Sequence, residues 1–272
     1  MERSLSFHIS QNRDFAMWRC FRVECGWAGQ VFPDKRAAYT GAHQNAKVSF
    51  SRQLTEESLG LEPPGDELVA YFAKRRISKE TLEKNAILQK SGEQNIIAFT
   101  YRRNGVLVSC KYRSIIDKRY WQEKGTEKIL YGLDGIKEAD EIIIVEGEID
   151  KLSMEEAGFC NCVSVPDGAP QKVSAKELPS LEKMLRHLHI LDFLGKYLAH
   201  GLASRIILAT DGDIPGEALA KELARRLGSE RCWRVSWPKK SELTSFKDAN
   251  EVLTNLGPGA LRDIIGNVEL YR

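Results

Sequence analysis

The sequence predicts an α/β protein: a parallel sheet flanked by helices over residues 136–240, preceded by a mixed α+β basic subdomain and a small N-terminal β module. Three observations carry this expectation. From Glu141 onward, short apolar runs alternate with amphipathic stretches, the pattern of buried parallel strands joined by covering helices. Upstream, two strand-like segments flank Arg102-Arg103-Asn104-Gly105, where Asn-Gly supplies the positive φ of a type I′ hairpin turn. In residues 1–32 apolar and polar positions alternate (Leu5, Phe7, Ile9, then Phe15 and Met17), the period of short strands.

In chain order, residues 1–32 read as strands around a small module, and residues 33–65 as a polar linker with little regular structure, ending in Leu61-Glu62-Pro63-Pro64-Gly65. Residues 66–135 form the basic subdomain. A helix is expected over 66–75, capped by Asp66, and a second near 78–85, where Ser78 caps and Glu80 sits in the first turn. Asn95–Tyr101 and Val106–Arg113 are the hairpin strands. Glu141–Val145 is a buried strand, 149–158 a helix stopped by Gly158, Cys162–Val165 a strand and 174–200 mostly helical. Arg205–Ala209 is a strand, Gly216–Leu227 a helix closed by Gly228, and Cys232–Ser236 a further strand. Residues 241–272 form a C-terminal segment.

Composition excludes several classes. Of 272 residues 42% are hydrophobic and 29% charged, a globular balance rather than a collagen or a disordered tail. No run approaches the roughly 18 apolar residues of a transmembrane helix, so no membrane partner is expected. Met1-Glu2-Arg3 leads into polar sequence, without a secretory or transit-peptide signature. Six cysteines are too dispersed for a disulfide framework. Charge is segregated: Phe72–Trp121 holds 12 Lys/Arg against 4 Asp/Glu, so this window is +8 and the rest of a +2 chain is −6. A polyanion surface beside an acidic site would have this pattern; so would a solvated basic face.

The acidic residues stand at strand ends. Ile142-Ile143-Ile144-Val145 runs into Glu146-Gly147-Glu148-Ile149-Asp150, and Ile206-Ile207-Leu208-Ala209-Thr210 into Asp211-Gly212-Asp213. Ligands of open α/β sheets bind beyond the carboxyl ends of the strands. Gathering Glu146, Asp211 and Asp213 there requires a neutralising cation or a retained proton, and hard oxygen donors suit Mg²⁺ (or Mn²⁺). An isolated Asp-Gly-Asp would be read as a polar turn with Asp213 capping the next helix; a second acidic strand end argues against that alone.

The V-E-G-E-I-D element followed by D-G-D after an apolar strand resembles the Toprim domain of primases and topoisomerases. Arg76-Ile77-Ser78-Lys79-Glu80-Thr81, Val108-Ser109-Cys110-Lys111-Tyr112-Arg113, Val165-Pro166-Asp167-Gly168-Ala169 and Phe246-Lys247-Asp248-Ala249-Asn250-Glu251 are similar, in order, to motifs of the phage-type and Twinkle-type primase-helicases. The resemblance implies Mg²⁺-dependent synthesis of short RNA primers from ribonucleoside triphosphates on a single-stranded DNA template. Glu146 matches the acid assigned to catalysis, Asp211 and Asp213 the metal-binding pair, and Asp248 a further metal-site acid. Lys111, Arg113 and Lys118 match basic residues that hold nucleotides or template. Glu148 is either a supporting residue or surface, and a solvated hairpin face is the alternative for Lys111 and Arg113. The resemblance also implies a separate replicative helicase or DNA polymerase as partner, and work in mitochondria or chloroplasts.

Cys20 and Cys25, ahead of Gly26-Trp27-Ala28-Gly29, look like the second half of the family's zinc ribbon. A closed Zn²⁺ site needs four ligands, and His8 and His43 lack convincing spacing for the other two. Trp18, Phe21 and Trp27 suit either base stacking or core packing. No G-x-x-x-x-G-K-[ST] occurs in the 272 residues, so no unwinding is expected of this chain. The alternative to a primase is a single-stranded DNA-binding accessory factor with weak catalysis. A Toprim nuclease or topoisomerase fragment fits less well, because no tyrosine stands in a nucleophile context.

Overall fold

The computed structural model describes residues 5–9, 16–20, 28–31, 54–137, 139–168 and 203–272. The predicted helical stretch 174–200, residues 33–53 of the polar segment, Phe21, Trp27, His43 and the zinc-ligand candidate Cys25 lie outside them. The chain divides into two units, Met1–Phe50 and Ser51–Arg272. In the first, β1 (Leu5–Ile9), β2 (Ala16–Cys20) and β3 (Ala28–Val31) make an antiparallel sheet in that order, with Leu5 in register with Cys20.

The second unit holds two five-stranded sheets. One is an antiparallel meander of β4 (Leu61–Glu62), β5 (Ile87–Lys90), β6 (Glu93–Arg103), β7 (Val106–Ser114) and β8 (Tyr120–Gln122). β4 lies in the stretch expected to lack regular structure; two residues are too few to show a period, and pairing with β5 creates the strand. The β6–β7 turn follows the sequence: Asn104 and Gly105 have φ of 54° and 76°. The Asp134 carboxylate accepts both turn amides, at 2.7 and 2.8 Å.

Helix α1 (Asp66–Ala73) corrects one expectation. Its N-cap is Gly65 rather than Asp66, with no side-chain cap. The Gly65 amide donates instead to Gln89 Oε1 at 2.7 Å, an acceptor 24 residues away that local sequence does not announce. Helix α2 (Lys79–Lys84) begins as expected, with Ser78 Oγ accepting the Thr81 amide at 3.2 Å.

The other sheet has the order β10 (Cys162–Ser164), β9 (Glu141–Val145), β11 (Arg205–Leu208), β12 (Cys232–Arg234), β13 (Glu269–Leu270). The first four are parallel; β13 is an antiparallel edge. Helix α3 (Glu148–Glu156) follows β9 and α4 (Ile214–Leu227) follows β11. Helix α5 (Ala249–Leu256) packs against α3 and against α6 (Pro258–Gly266). Ile142, Ile143, Ile144 and Val145 are fully buried, each contributing roughly 1.5–3 kcal/mol of burial. A continuous apolar core joins the sheets, with Phe72, Ile97, Phe99 and Tyr101 in one cluster with Ile143 and Leu208. Alternate β6 residues, Ile96 and Ala98, pack with Leu54, Leu59 and Tyr112 on the opposite face.

What positions the site is the pairing of β9 with β11. Glu141 through Ile144 are in register with Arg205 through Leu208, so the residues that follow both strands leave the sheet at the same edge.

Candidate metal and nucleotide site

One carboxylate oxygen each from Glu146, Asp211 and Asp213 lie within 4.8 Å of one another at that edge. The end of β11 is held from several sides. Arg234 donates to the carbonyls of Leu208, Thr210 and Asp211 at 3.0, 3.1 and 3.2 Å, and Trp237 Nε1 to the Thr210 carbonyl at 2.9 Å. The Gly212 amide donates to the Lys247 carbonyl at 2.7 Å. Asp213 serves two ends at once: Oδ1 caps α4 by accepting the Gly216 amide at 3.0 Å, while Oδ2 is 3.0 Å from Lys247 Nζ. The capping turn and the acidic cluster are therefore one structure, not competing readings. Gly216 is required by space, since a Cβ there would lie 2.2 Å from the Asp211 carbonyl oxygen.

Electrostatics mark the cluster. Burial, and next the charge of Glu146, push the Asp211 carboxyl up to about 6 although Lys247 Nζ stands 3.0 Å from its Oδ2. Burial would also raise Asp213, but the Gly216 amide and Lys247 outweigh it and hold this acid below its ordinary value. Asp248 caps α5 by accepting the Glu251 amide at 2.7 Å, and burial raises it. It lines the same cleft but stands outside the 4.8 Å group.

Two groups that sequence reasoning left unassigned belong here. Asp150, four residues beyond Glu146 in the first turn of α3, is raised by burial and by the charges of Asp248, Asp211 and Glu146. It accepts the Asn250 amide at 3.1 Å, and Asn250 Nδ2 donates to Ser153 Oγ and the Arg75 carbonyl at 2.9 and 3.2 Å. The Asn of the K-D-A-N element thus ties α5 to α3 and to the segment that follows α1. Lys247, from the same element, bridges the acids. Both lay within quoted motifs, but only the docking of α5 gives them a role.

The basic residues divide between two clefts that share Glu146 and Tyr120. A cleft of about 440 Å³ is lined by Arg75, Arg113 and Lys118 together with Asp150, Asp211 and Asp248. A neighbouring one of about 470 Å³ is lined by Lys111, Tyr120, Trp121, Glu148 and Asp167. Lys111 Nζ donates to Glu148 Oε1 at 2.7 Å and to the Pro166 carbonyl at 3.1 Å. Glu148 is buried and also accepts the Tyr101 hydroxyl at 2.5 Å, so it is not a surface residue. Lys111 and Arg113 lie 5.5 and 5.0 Å from the centroid of Tyr120, which is 51% exposed.

Pairing thins the basic window. Lys79, Lys84, Lys90, Arg102, Arg103, Lys111 and Arg119 each have a carboxylate partner. Among the described residues, Lys74, Arg75, Arg76, Arg113 and Lys118 have no ion pair, and three of these five line the acidic cleft. Of the zinc candidates, Cys20 ends β2. No described helix is long and apolar enough to cross a membrane.

A Toprim domain model matches residues 140–236. The chain is 54% identical over 274 residues to the Twinkle homolog protein, chloroplastic/mitochondrial, of Arabidopsis thaliana, an alignment covering 99% of this chain and 37% of that protein. It is 53% identical to the primase homolog protein of the same plant, covering 99% and 78%. The primase fragment of the bacteriophage T7 primase-helicase protein shares the fold, with a TM-score of 0.58 at 20% identity over 95% of this chain and 99% of that one. With a Toprim sheet and more than half of its residues identical to a primase homolog that it spans for most of its length, the chain belongs to the Toprim primase family that includes the Twinkle and primase homologs.

Proposed function

We propose that this chain is a nucleotidyltransferase that makes short RNA primers on single-stranded DNA from ribonucleoside triphosphates, using Mg²⁺ or Mn²⁺. The observation that carries the reading is the convergence of Glu146, Asp211 and Asp213 within 4.8 Å, two of which line the same cleft as Arg75, Arg113 and Lys118. The donor set fits a hard divalent cation: three carboxylates, one of them raised by burial and its neighbours' charge, a strain that a cation relieves. Glu146, Asp211 and Asp213 would hold the ion, with Asp248 and Asp150 bordering it. Bound there, it supplies neutralisation of the triphosphate and acidification of the attacking 3′-hydroxyl.

The chain's own groups do the rest. Glu146, shared by both clefts, accepts the 3′-hydroxyl proton. Arg113 and Lys118 hold phosphate oxygens of the incoming nucleotide or template, and Arg75 extends that wall. Lys111, held by Glu148 and Pro166, presents charge to the adjoining cleft. Tyr120 offers a ring face to a base between the clefts. In the first unit, Cys20 and Cys25 are candidates for two of the four ligands that a closed Zn²⁺ site needs, and neither His8 nor His43 has convincing spacing for the other two. Mitochondria or chloroplasts are the proposed compartment, from the name of the Twinkle homolog, and a separate replicative helicase or DNA polymerase the proposed partner.

The test is primer synthesis on a single-stranded template with Mg²⁺ and ribonucleotides. Oligoribonucleotides should appear, and vanish in an Asp211→Ala/Asp213→Ala variant. A second reading, the DNA-binding accessory factor, draws on the five cations without ion pairs among the described residues. It would be favoured by tight single-stranded DNA binding with no product in either chain.

A further inference from the structure

Lys247 is the group whose position the reaction does not explain. Its Nζ lies 3.0 Å from Asp211 Oδ2 and 3.0 Å from Asp213 Oδ2, the two acids of the proposed metal pair. A divalent ion shared by these carboxylates and the ammonium would compete for the same oxygens. The backbone at this position is fixed on both sides. The Lys247 carbonyl accepts the Gly212 amide at 2.7 Å, and its own amide donates to Glu251 Oε2 at 2.7 Å. The side chain, by contrast, is 52% exposed, so it can swing on its four-carbon stem without disturbing either anchor.

We propose that Lys247 is an internal counter-cation that occupies the place of the divalent ion between Asp211 and Asp213, and that metal entry displaces its ammonium onto the phosphates of a nucleoside triphosphate. This deepens the proposed function and rests on its metal site. Electrostatics supply the reason. Glu146, Asp150, Asp211, Asp213 and Asp248 gather at the mouth of two parallel strands, and without a cation their repulsion would oppose the folding of the D-G-D turn. Lysine suits the task better than arginine, being a compact point charge on a flexible stem. A displaced ammonium in this cleft needs another anion, and phosphate oxygens are the anion that arrives with the metal. The exchange therefore couples the two ligands: triphosphate favours metal entry by capturing Lys247, and metal favours triphosphate by releasing it.

The test is Mn²⁺ binding to the full 272-residue chain without nucleotide, followed by the loss of the free-ion electron paramagnetic resonance signal. Wild type is compared with Lys247→Met, which keeps the stem and removes the charge, and with Asp211→Ala/Asp213→Ala. Lys247→Met should bind Mn²⁺ more tightly than wild type, by roughly tenfold. Its melting temperature should lie below wild type without metal and rise more on adding Mn²⁺. At saturating metal, its KM for ribonucleotides in primer synthesis should rise more than its kcat falls. Equal or weaker Mn²⁺ binding by Lys247→Met, while the double aspartate variant has lost it, overturns the exchange and leaves the metal site standing. Equal binding by wild type and the double aspartate variant overturns the metal site and the exchange together.

Discussion

Asp211 shows what gathering acids at one strand end costs the fold at a single residue. Its carboxyl titrates near 6 in the folded chain against 3.8 for the ordinary group, so the folded state holds the proton more tightly than the unfolded one. Its contribution to stability is therefore greatest below about pH 4, and is lost as the pH rises from about 4 to about 6. Above that range an ionised Asp211 opposes folding by at most about 3 kcal/mol. Asp211→Asn should accordingly stabilise the metal-free protein at pH 7.5 while abolishing primer synthesis. Urea unfolding with a chelator checks this, and the advantage should shrink toward zero at pH 4. Glu148 carries the opposite prediction. Removing its carboxylate in Glu148→Ala leaves Lys111 and the Tyr101 hydroxyl without their buried acceptor, which should cost about 3–5 kcal/mol by the same measurement, and Glu148→Gln less. The three clustered acids were legible in the sequence because they stand at or just beyond the ends of two apolar strands. Asp150, Glu148 and Lys247 were not, because their partners come from elements distant in the chain.

At the scale of elements, legibility followed length and local chemistry. β9 is Glu141 followed by four buried aliphatics, and its predicted bounds are those observed. The Asn104-Gly105 turn was fixed by its own φ requirement. β4 and β13, two residues each, exist only because a neighbouring strand pairs with them. The start of α4 joins element to site. Its first turn packs so closely on the strand end that a Cβ at Gly216 would lie 2.2 Å from the Asp211 oxygen and 2.7 Å from its carbonyl carbon, both backbone atoms. Gly216→Ala must push the helix start away, and with it the Asp213 cap. The expected outcome is a loss of roughly 1–3 kcal/mol in stability together with Mn²⁺ affinity weakened more than tenfold. Retained Mn²⁺ affinity in a folded Gly216→Ala chain would mean that the two aspartates do not depend on this packing.

For the whole molecule, the question is how a chain of net charge +2 would hold the proposed polyanion. The +8 window suggested a basic face, but carboxylates from outside the window offset half of that excess in the fold. Seven of its twelve cations meet carboxylates, several from outside the window, such as Glu56, Glu127, Glu148 and Glu155. Sequence counting could not foresee this, because those pairings cross up to 71 residues of chain, as between Lys84 and Glu155. What remains without an ion pair among the described residues is Lys74, Arg75, Arg76, Arg113 and Lys118, and three of these line the acidic cleft, which favours a narrow contact over a diffuse surface. Salt dependence distinguishes the two. If about three to five phosphates are neutralised, single-stranded DNA affinity should fall by roughly 20- to 130-fold between 50 and 200 mM salt, at about 0.7 per phosphate in the logarithmic slope. A broad face using all twelve cations would give a slope more than twice as steep. Fluorescence anisotropy of a labelled oligonucleotide measures the slope. Arg113→Ala should lower it by about 0.7, whereas Arg103→Ala, whose guanidinium is taken by Glu127 at 2.7 Å, should leave it unchanged. Equal effects of the two substitutions would show that the paired cations also reach the DNA, and that the contact is wider than the ion pairs allow.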